Sequence, residues 1–237
     1  MANKQVLADS DWSQARLGKI TASKVFNLFT EPRSKAAKEA GELSDGCQTY
    51  LNSLLAEMAT GTTRSISTYA MEWGHQYEPE AMLSIRESLD KPDSLEYFGA
   101  DNPQFFKYSS ISGGSPDGVA GKTVFEVKCP EDPAVHWKIL GWKSWEDVKA
   151  NKKEWWYQVQ MNILAVAKSR DNDPASYTGC LVSYDHRYID QKLRTKFIDI
   201  PLDPDFRQHI DSAIKKAANW MKRELEVRSP KEDKETS

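Results

Sequence analysis

Apolar side chains recur three and four residues apart in five stretches of the chain, and that spacing predicts five helices. Ala22–Phe29 begins after Thr21; Thr21 or Ser23 can cap it, and Pro32 closes it off. Tyr50–Ala59 gathers Leu51, Leu54, Leu55 and Met58 on one face and stops at Gly61. Tyr69–Leu89 places Trp73, Tyr77, Ala81 and Ile85 at steps of four, and Pro79 inside it predicts a kink or a fresh start. Glu154–Lys168 buries Val159, Ile163 and Val166. Phe206–Val227 aligns Phe206, Ile210, Ile214, Ala217 and Met221 in a stripe made for docking on the body.

Extended segments cluster centrally. Phe105–Ser112 and Thr123–Cys129 flank a glycine-rich stretch, and Tyr177–Tyr184 with Arg194–Ile200 predicts a second hairpin. Helices, then strands, a long helix, two strands and a last helix imply an α/β fold with a mixed central β-sheet flanked by helices. The polar stretch Glu31–Gln48 reads as a long surface loop. No linker divides two cores, so residues 1–228 are expected to form a single domain, with 229–237 as a disordered tail.

Composition narrows the class. The chain has 237 residues, 39% hydrophobic and 28% charged, and a mean hydropathy of -0.66. Those values describe a soluble globular protein. No apolar run approaches the roughly 20 residues that span a bilayer, so no membrane partner is expected. The N-terminal residues lack a basic segment followed by an apolar one, which argues against a signal peptide. Cys47, Cys129 and Cys180 are scattered, unlike a disulfide framework or a zinc site, and fit a reducing cytosol. A net charge of -3 excludes a uniformly basic coat for nucleic acid, but not a basic groove within an acidic surface. There is no phosphate-binding G-x-x-x-x-G-K-[ST] loop, no G-x-S-x-G and no paired histidine spacing.

The chemistry concentrates between Gly113 and Lys128. On a strand, Val124, Glu126 and Lys128 share one face, while Phe125, Val127 and Cys129 share the other. Asp117 lies nine residues before Glu126 across a turn that can bring the two carboxylates together. Two carboxylates converging with an ammonium make a hard-oxygen site suited to Mg²⁺, with a cation placed to orient water. The plain alternative is a solvated hairpin with an exposed Glu/Lys pair, Asp-Gly being an ordinary turn signal. Spacing alone leaves both open.

Five ordered motifs add to this: Arg16-Leu-Gly-Lys-Ile-Thr-Ala-Ser23, Trp73-Gly-His-Gln-Tyr-Glu78, Ser115-Pro-Asp117-Gly, Glu126-Val-Lys128-Cys-Pro and Tyr157-Gln158-Val-Gln160. Together, from about Trp12 to Tyr184, the chain resembles the bacteriophage lambda-type exonucleases, the YqaJ-like viral recombinase family of PD-(D/E)xK nucleases. The resemblance implies a restriction-endonuclease-like core. It also implies Mg²⁺-dependent 5′→3′ digestion of one strand of linear duplex DNA to mononucleotides by a ring-shaped homotrimer that supplies a single-strand annealing protein. Two Mg²⁺ per site are implied, with Mn²⁺ able to substitute. Asp117, Glu126 and the backbone carbonyl of Val127 match metal ligands, and Glu78 an acidic residue near the second metal. Lys128 matches the lysine that positions or deprotonates the attacking water, and Gln158 a glutamine reaching the phosphate or its water. Arg16, Thr21, Ser23 and Ser115 match a pocket for the terminal 5′-phosphate. Arg33 matches a basic residue facing the DNA end, and Met71 an apolar wedge between terminal base pairs. Pro79 directly after Glu78, and Trp155 where the family often has tyrosine, depart from the pattern.

Between Trp137 and Trp156 five tryptophans alternate with Lys138, Lys143, Lys149, Lys152 and Lys153, which suits some buried rings and some lysines facing DNA. The reading is a recombination exonuclease in a bacterial host's cytoplasm, encoded by a phage or prophage. A structure-specific endonuclease of the same fold and a non-catalytic DNA clamp remain open as alternatives.

Overall fold

β-branched and aromatic residues are concentrated in the longer strands, such as Thr123–Lys128 and Thr195–Pro201, and among the described residues eight strands form in all. A computed structural model describes residues 12–63, 68–99 and 101–228. The expected tail 229–237 lies outside the described residues. Strands β1 (Ile20–Thr21), β3 (Phe106–Ser109) and β4 (Ser112–Gly114) make a small sheet in the order β1-β4-β3. Strands β2 (Leu95–Tyr97), β5 (Gly118–Ala120), β6 (Thr123–Lys128), β7 (Thr178–Tyr184) and β8 (Thr195–Pro201) make the main sheet in that order. Within it β6 and β7 are parallel, with Glu126 opposite Leu181 and Lys128 opposite Ser183; the other pairs are antiparallel.

Helices among the described residues include α1 (Lys35–Glu39), α2 (Asp45–Thr60), α3 (Tyr69–Ser88), α4 (Pro133–Leu140), α5 (Trp145–Asn151), α6 (Lys153–Ser169) and α7 (Pro204–Arg228), together with the 3-10 helix Ala22–Phe29 and three shorter 3-10 turns. Apolar side chains pack in two clusters on opposite faces of the main sheet. Val124 on β6 joins Val159 and Ile163 of α6 and the whole α7 stripe, Phe206 to Met221. Phe125 and Val127 join Ala81, Met82 and Ile85 of α3. The chain is a mixed α/β structure with sheets flanked by helices.

Several expectations are corrected. The segment Phe105–Ser112 is not one strand: Ser109 and Ser112 pair across a tight turn between β3 and β4, Lys107 already facing Gly113. Gly113 sits against Phe105 and Phe106 so closely that an added Cβ would collide with both, which is why β4 needs glycine there. The supposed loop Glu31–Gln48 holds α1 and the start of α2, each capped by a serine side chain, Ser34 and Ser44. Neither Thr21 nor Ser23 caps the 3-10 helix; their hydroxyls meet each other at 3.3 Å. Met58 leaves the buried face of α2 and is half exposed. Helix α3 runs through Pro79 unbroken. Pro79 and His75, the residue whose carbonyl loses its N–H partner, are both exposed residues of the helix.

A buried polar cluster closes the far end of β7. His136, wholly buried, donates from Nε2 to the Leu193 carbonyl at 2.8 Å and takes the Ser183 hydroxyl on Nδ1 at 2.7 Å. Asp185 accepts from Arg187 through N at 3.0 Å, Nε at 2.8 Å and Nη2 at 2.8 Å. Burial opposes its charge, but those bonds win and hold the Asp185 carboxyl below its ordinary range. Arg187 also reaches the Pro130 carbonyl and lies 4.5 Å over the Trp73 ring of α3.

Candidate active site

Strand β6 sets the site. Its alternation turns Glu126 and Lys128 to the face that α6 covers, and Glu126 is only 3% exposed. The exposed Glu/Lys pair of a solvated hairpin is therefore not what forms. Helix α6 meets the strand in two matched pairs: Lys128 Nζ donates to Gln158 Oε1 at 3.3 Å, and Asn162 Nδ2 donates to Glu126 Oε2 at 2.9 Å. Two strand residues span about 6.6 Å and four helical residues about 6 Å, so an i, i+4 pair on the helix registers with an i, i+2 pair on the strand. Lys128 Nζ closes the unit by donating to Glu126 Oε1 at 2.7 Å.

Asp117 follows β4 and precedes β5, and its backbone is held on both sides. Its N–H donates to the Phe125 carbonyl at 3.1 Å, and its carbonyl accepts from Phe98 at 2.9 Å. Its Oδ2 takes the Val127 N–H at 2.6 Å, which ties the turn to β6. Glu78 arrives from α3, one turn before Met82, and accepts the Tyr97 hydroxyl at 3.1 Å.

The electrostatics are strained. Burial first, then the Glu126 and Glu78 charges, push the Asp117 carboxyl well above its ordinary value. Burial raises Glu126 against the pull of Lys128 and Asn162, and raises Glu78 against its Tyr97 bond. Burial works against the Lys128 ammonium too, but the three carboxylates outweigh it and its pKa rises. Three acids share one lysine, a combination that invites a further cation. Among the described residues no three acidic, histidine or cysteine side chains form a ready-made cage. A hard divalent ion does not need one, since it binds through one or two carboxylates and retains water. Asp117, Glu126, the Val127 carbonyl and Glu78 are the oxygen donors available to it.

Two cavities meet here. One, of about 620 Å³, runs from Glu78, Asp117 and Gln158 to Arg16, Thr21, Ser23 and Ser115. The other, of about 490 Å³, is lined by Glu126, Lys128, Met71 and Trp155, and shares His75, Glu78 and Asp117 with the first. At the far end of the larger cavity the Arg16 guanidinium lies 4.2 Å over the Trp12 ring, and Trp12 Nε1 donates to Ser115 Oγ at 3.3 Å. Burial lowers the Arg16 pKa, yet arginine stays charged. Among the described residues Arg16 forms no ion pair, so its cation remains available to an anion.

Most of the sequence-derived residues thus come together: Asp117, Glu126, Lys128, Glu78 and Gln158 around the carboxylates, and Arg16, Thr21, Ser23 and Ser115 one cavity-length away. Met71, 49% exposed, lines the smaller cavity. Arg33 is exposed and lines neither. Four residues escaped the sequence reading: Trp12, His75, Tyr97 and Asn162. Asn162 had a signal, a polar residue inside the apolar run Val159–Ala167 one turn after Gln158. Tyr97 had none, because β2 is three residues long. Of the clustered tryptophans, Trp142 and Trp156 are buried and Trp137 is exposed. Lys149 lies 4.0 Å over Trp156 and Lys152 5.1 Å over Trp155.

Residues 11–170 match the YqaJ-like viral recombinase domain, and the chain belongs to that family. Its fold is similar to an alkaline exonuclease, LHK-Exo, from Laribacter hongkongensis, at 23% identity and a TM-score of 0.69, over 92% of this chain and 95% of that one. The same exonuclease in complex with dAMP matches at 24% identity and TM-score 0.69, over 92% and 95%. A phage-related exonuclease from Haemophilus somnus 129PT matches at 17% identity and TM-score 0.67, over 89% and 96%. No curated protein sequence matches the chain. Among the described residues no helix is long and apolar enough to cross a membrane.

Proposed function

We propose that the protein is a Mg²⁺-dependent 5′→3′ exonuclease that digests one strand of linear duplex DNA to mononucleotides. The observation that carries this reading is the larger cavity, which joins an arginine-and-hydroxyl end to Glu78, Asp117 and Gln158, beside the smaller cavity that Glu126 and Lys128 line. A nucleotide bridges such a cavity, its 5′-phosphate at Arg16 and its 3′ linkage at Asp117 and Glu78. The complex of a related exonuclease with dAMP supports a deoxynucleotide ligand for the fold.

In this mechanism Asp117 and Glu126, with the Val127 carbonyl and Glu78, would hold two Mg²⁺, with Mn²⁺ substituting. The metal supplies a Lewis acid for the scissile phosphate and lowers the pKa of bound water. Lys128, held between Glu126 and Gln158, orients the attacking water from a fixed ammonium. Gln158 fixes Lys128 and reaches the phosphate side. Arg16, Thr21, Ser23 and Ser115 bind the terminal 5′-phosphate through a guanidinium fork and hydroxyls. After each cut the new 5′-phosphate is drawn to the same end, which biases the duplex forward without ATP. Met71 wedges the terminal pair from the smaller cavity. Arg33 is a basic contact outside both cavities. Processivity comes from a ring-shaped homotrimer around the duplex, and the single strands feed a phage-type annealing protein in the bacterial cytoplasm.

End-labelled linear and circular duplexes incubated with Mg²⁺ test the reading. Mononucleotides from the linear form alone support it. Cut circles would make the protein an endonuclease, and no product would make it a clamp. Light scattering should give three times the chain mass.

A further inference from the structure

We infer that Asn162 is a positioning residue for the metal-binding carboxylate of Glu126, a role that rests on the proposed nuclease site. Asn162 is wholly buried in the middle of α6, where its neighbours Met161, Ile163 and Leu164 are wholly apolar and equally buried. Its Nδ2 donates to Glu126 Oε2 at 2.9 Å. Among the described residues its own Oδ1 has no hydrogen-bond partner. A buried carbonyl without a donor works against folding. An apolar residue of the same size would remove that cost, so the fold alone gives no reason for asparagine here.

The surroundings are shaped to it. Gly114 lies against the Asn162 amide, and a Cβ at position 114 would collide with Oδ1. Gly114 ends β4, three residues before Asp117. Asn162 therefore touches both arms of the site: by contact the strand that delivers Asp117, and by hydrogen bond the carboxylate of Glu126. With Oε2 held by Asn162, Glu126 cannot rotate freely and directs Oε1 toward Lys128 and the cavity. Gln158 does the same for Lys128 one helical turn earlier. The helix thus orients both members of the Glu126/Lys128 pair, and the carboxylate meets a metal in one fixed pose.

Outer contacts of this kind set metal affinity, and their loss typically weakens it by about 10- to 100-fold. Mn²⁺ titration of the DNA-free full chain, followed by calorimetry, reads this without requiring turnover. Asn162→Leu, with the same number of side-chain heavy atoms but without the donor, should weaken Mn²⁺ binding by about tenfold or more. It should also move the Mg²⁺ concentration for half-maximal cleavage by the same factor, with the rate at saturating Mg²⁺ largely recovered. Asn162→Ser provides a second, smaller variant if the leucine chain does not fold, and its short hydroxyl should give the same shift. Glu126→Gln is the control. If it weakens Mn²⁺ binding while both Asn162 variants bind as wild type, the positioning role is overturned. If Glu126→Gln itself leaves Mn²⁺ binding unchanged, the metal reading of the site fails and the role of Asn162 fails with it.

Discussion

Two buried acidic clusters lie at the same end of the central strands, and they are built on opposite terms. At the end of β7, Asp185 takes three bonds from one arginine and its carboxyl is held below the ordinary range. At the end of β6, Asp117, Glu126 and Glu78 divide a single lysine, and all three carboxyls are held above theirs. The first cluster has every charge answered and ties the β7–β8 connection to α3 and Pro130. The second carries an excess of negative charge next to two cavities, an arrangement that costs stability and, on the proposed function, suits binding of a cation and a phosphate. Burial is common to both. On the proposed function, the number of donors per carboxylate separates a structural cluster from a chemical one.

That contrast can be broken by substitution. The largest effect is expected in the β6 cluster: Glu126→Gln or Lys128→Ala should lower cleavage by about 100-fold or more at unchanged fold. Retention of a tenth of wild-type turnover by both would remove them from the mechanism. Next comes the phosphate end. Arg16→Ala should slow 5′-phosphorylated ends by about 10- to 100-fold, the worth of a charge-assisted bidentate contact, and barely change 5′-hydroxyl ends. Equal slowing of both substrates would reduce Arg16 to a stacking partner of Trp12.

Stability should respond with opposite sign in the two places. Asp185→Asn strands the Arg187 guanidinium and should cost about 1–3 kcal/mol in denaturant unfolding. Asp117→Asn keeps an acceptor for the Val127 N–H while removing a repelled charge, and should be neutral or stabilising by about 1 kcal/mol in the metal-free protein. Loss of stability in both would mean that the β6 cluster is as satisfied as the β7 one.

The smallest effect is the pH dependence of the metal-free protein. A carboxyl raised on folding contributes stability that is full below its unfolded value and is lost as pH rises through its folded one. Asp117, Glu126 and Glu78 should therefore weaken the fold as pH climbs above about 4. Asp185 acts the other way, its contribution being present above about 4 and lost as pH falls. Melting curves from pH 4 to 8 should decline on the alkaline side, and Mg²⁺ should remove that decline. A decline unaffected by Mg²⁺ would place its cause elsewhere.

Much of this was legible in the sequence, for reasons that differ by element. The α7 stripe from Phe206 to Met221 and the α6 positions Val159, Ile163 and Val166 are exact in period, because long amphipathic helices write their burial plainly. Strands β1, β2, β4 and β5 are two or three residues long and carry too few side chains to show alternation. Helices α4 and α5 are short and are set by caps, Asp132 before Pro133 and the Ser144–Asp147 box, rather than by period. In the site, strand alternation puts Glu126 and Lys128 on one face with Asp117 across a turn, but leaves a solvated hairpin open until the ordered motifs are added. Glu78, on a helix, was legible only through them. Tyr97 and Trp12 were not, since their partners Glu78 and Ser115 are remote in sequence and only the folded chain brings them near.

The most direct measurement is nuclease activity per folded molecule for Asp117→Asn and Asp185→Asn, on 5′-phosphorylated linear duplex with saturating Mg²⁺. The expected result is a loss of about 100-fold or more for Asp117→Asn and a rate within a few-fold of wild type for Asp185→Asn. Comparable rates for the two variants, or the greater loss in Asp185→Asn, would contradict the assignment of the β6 cluster as the site of chemistry.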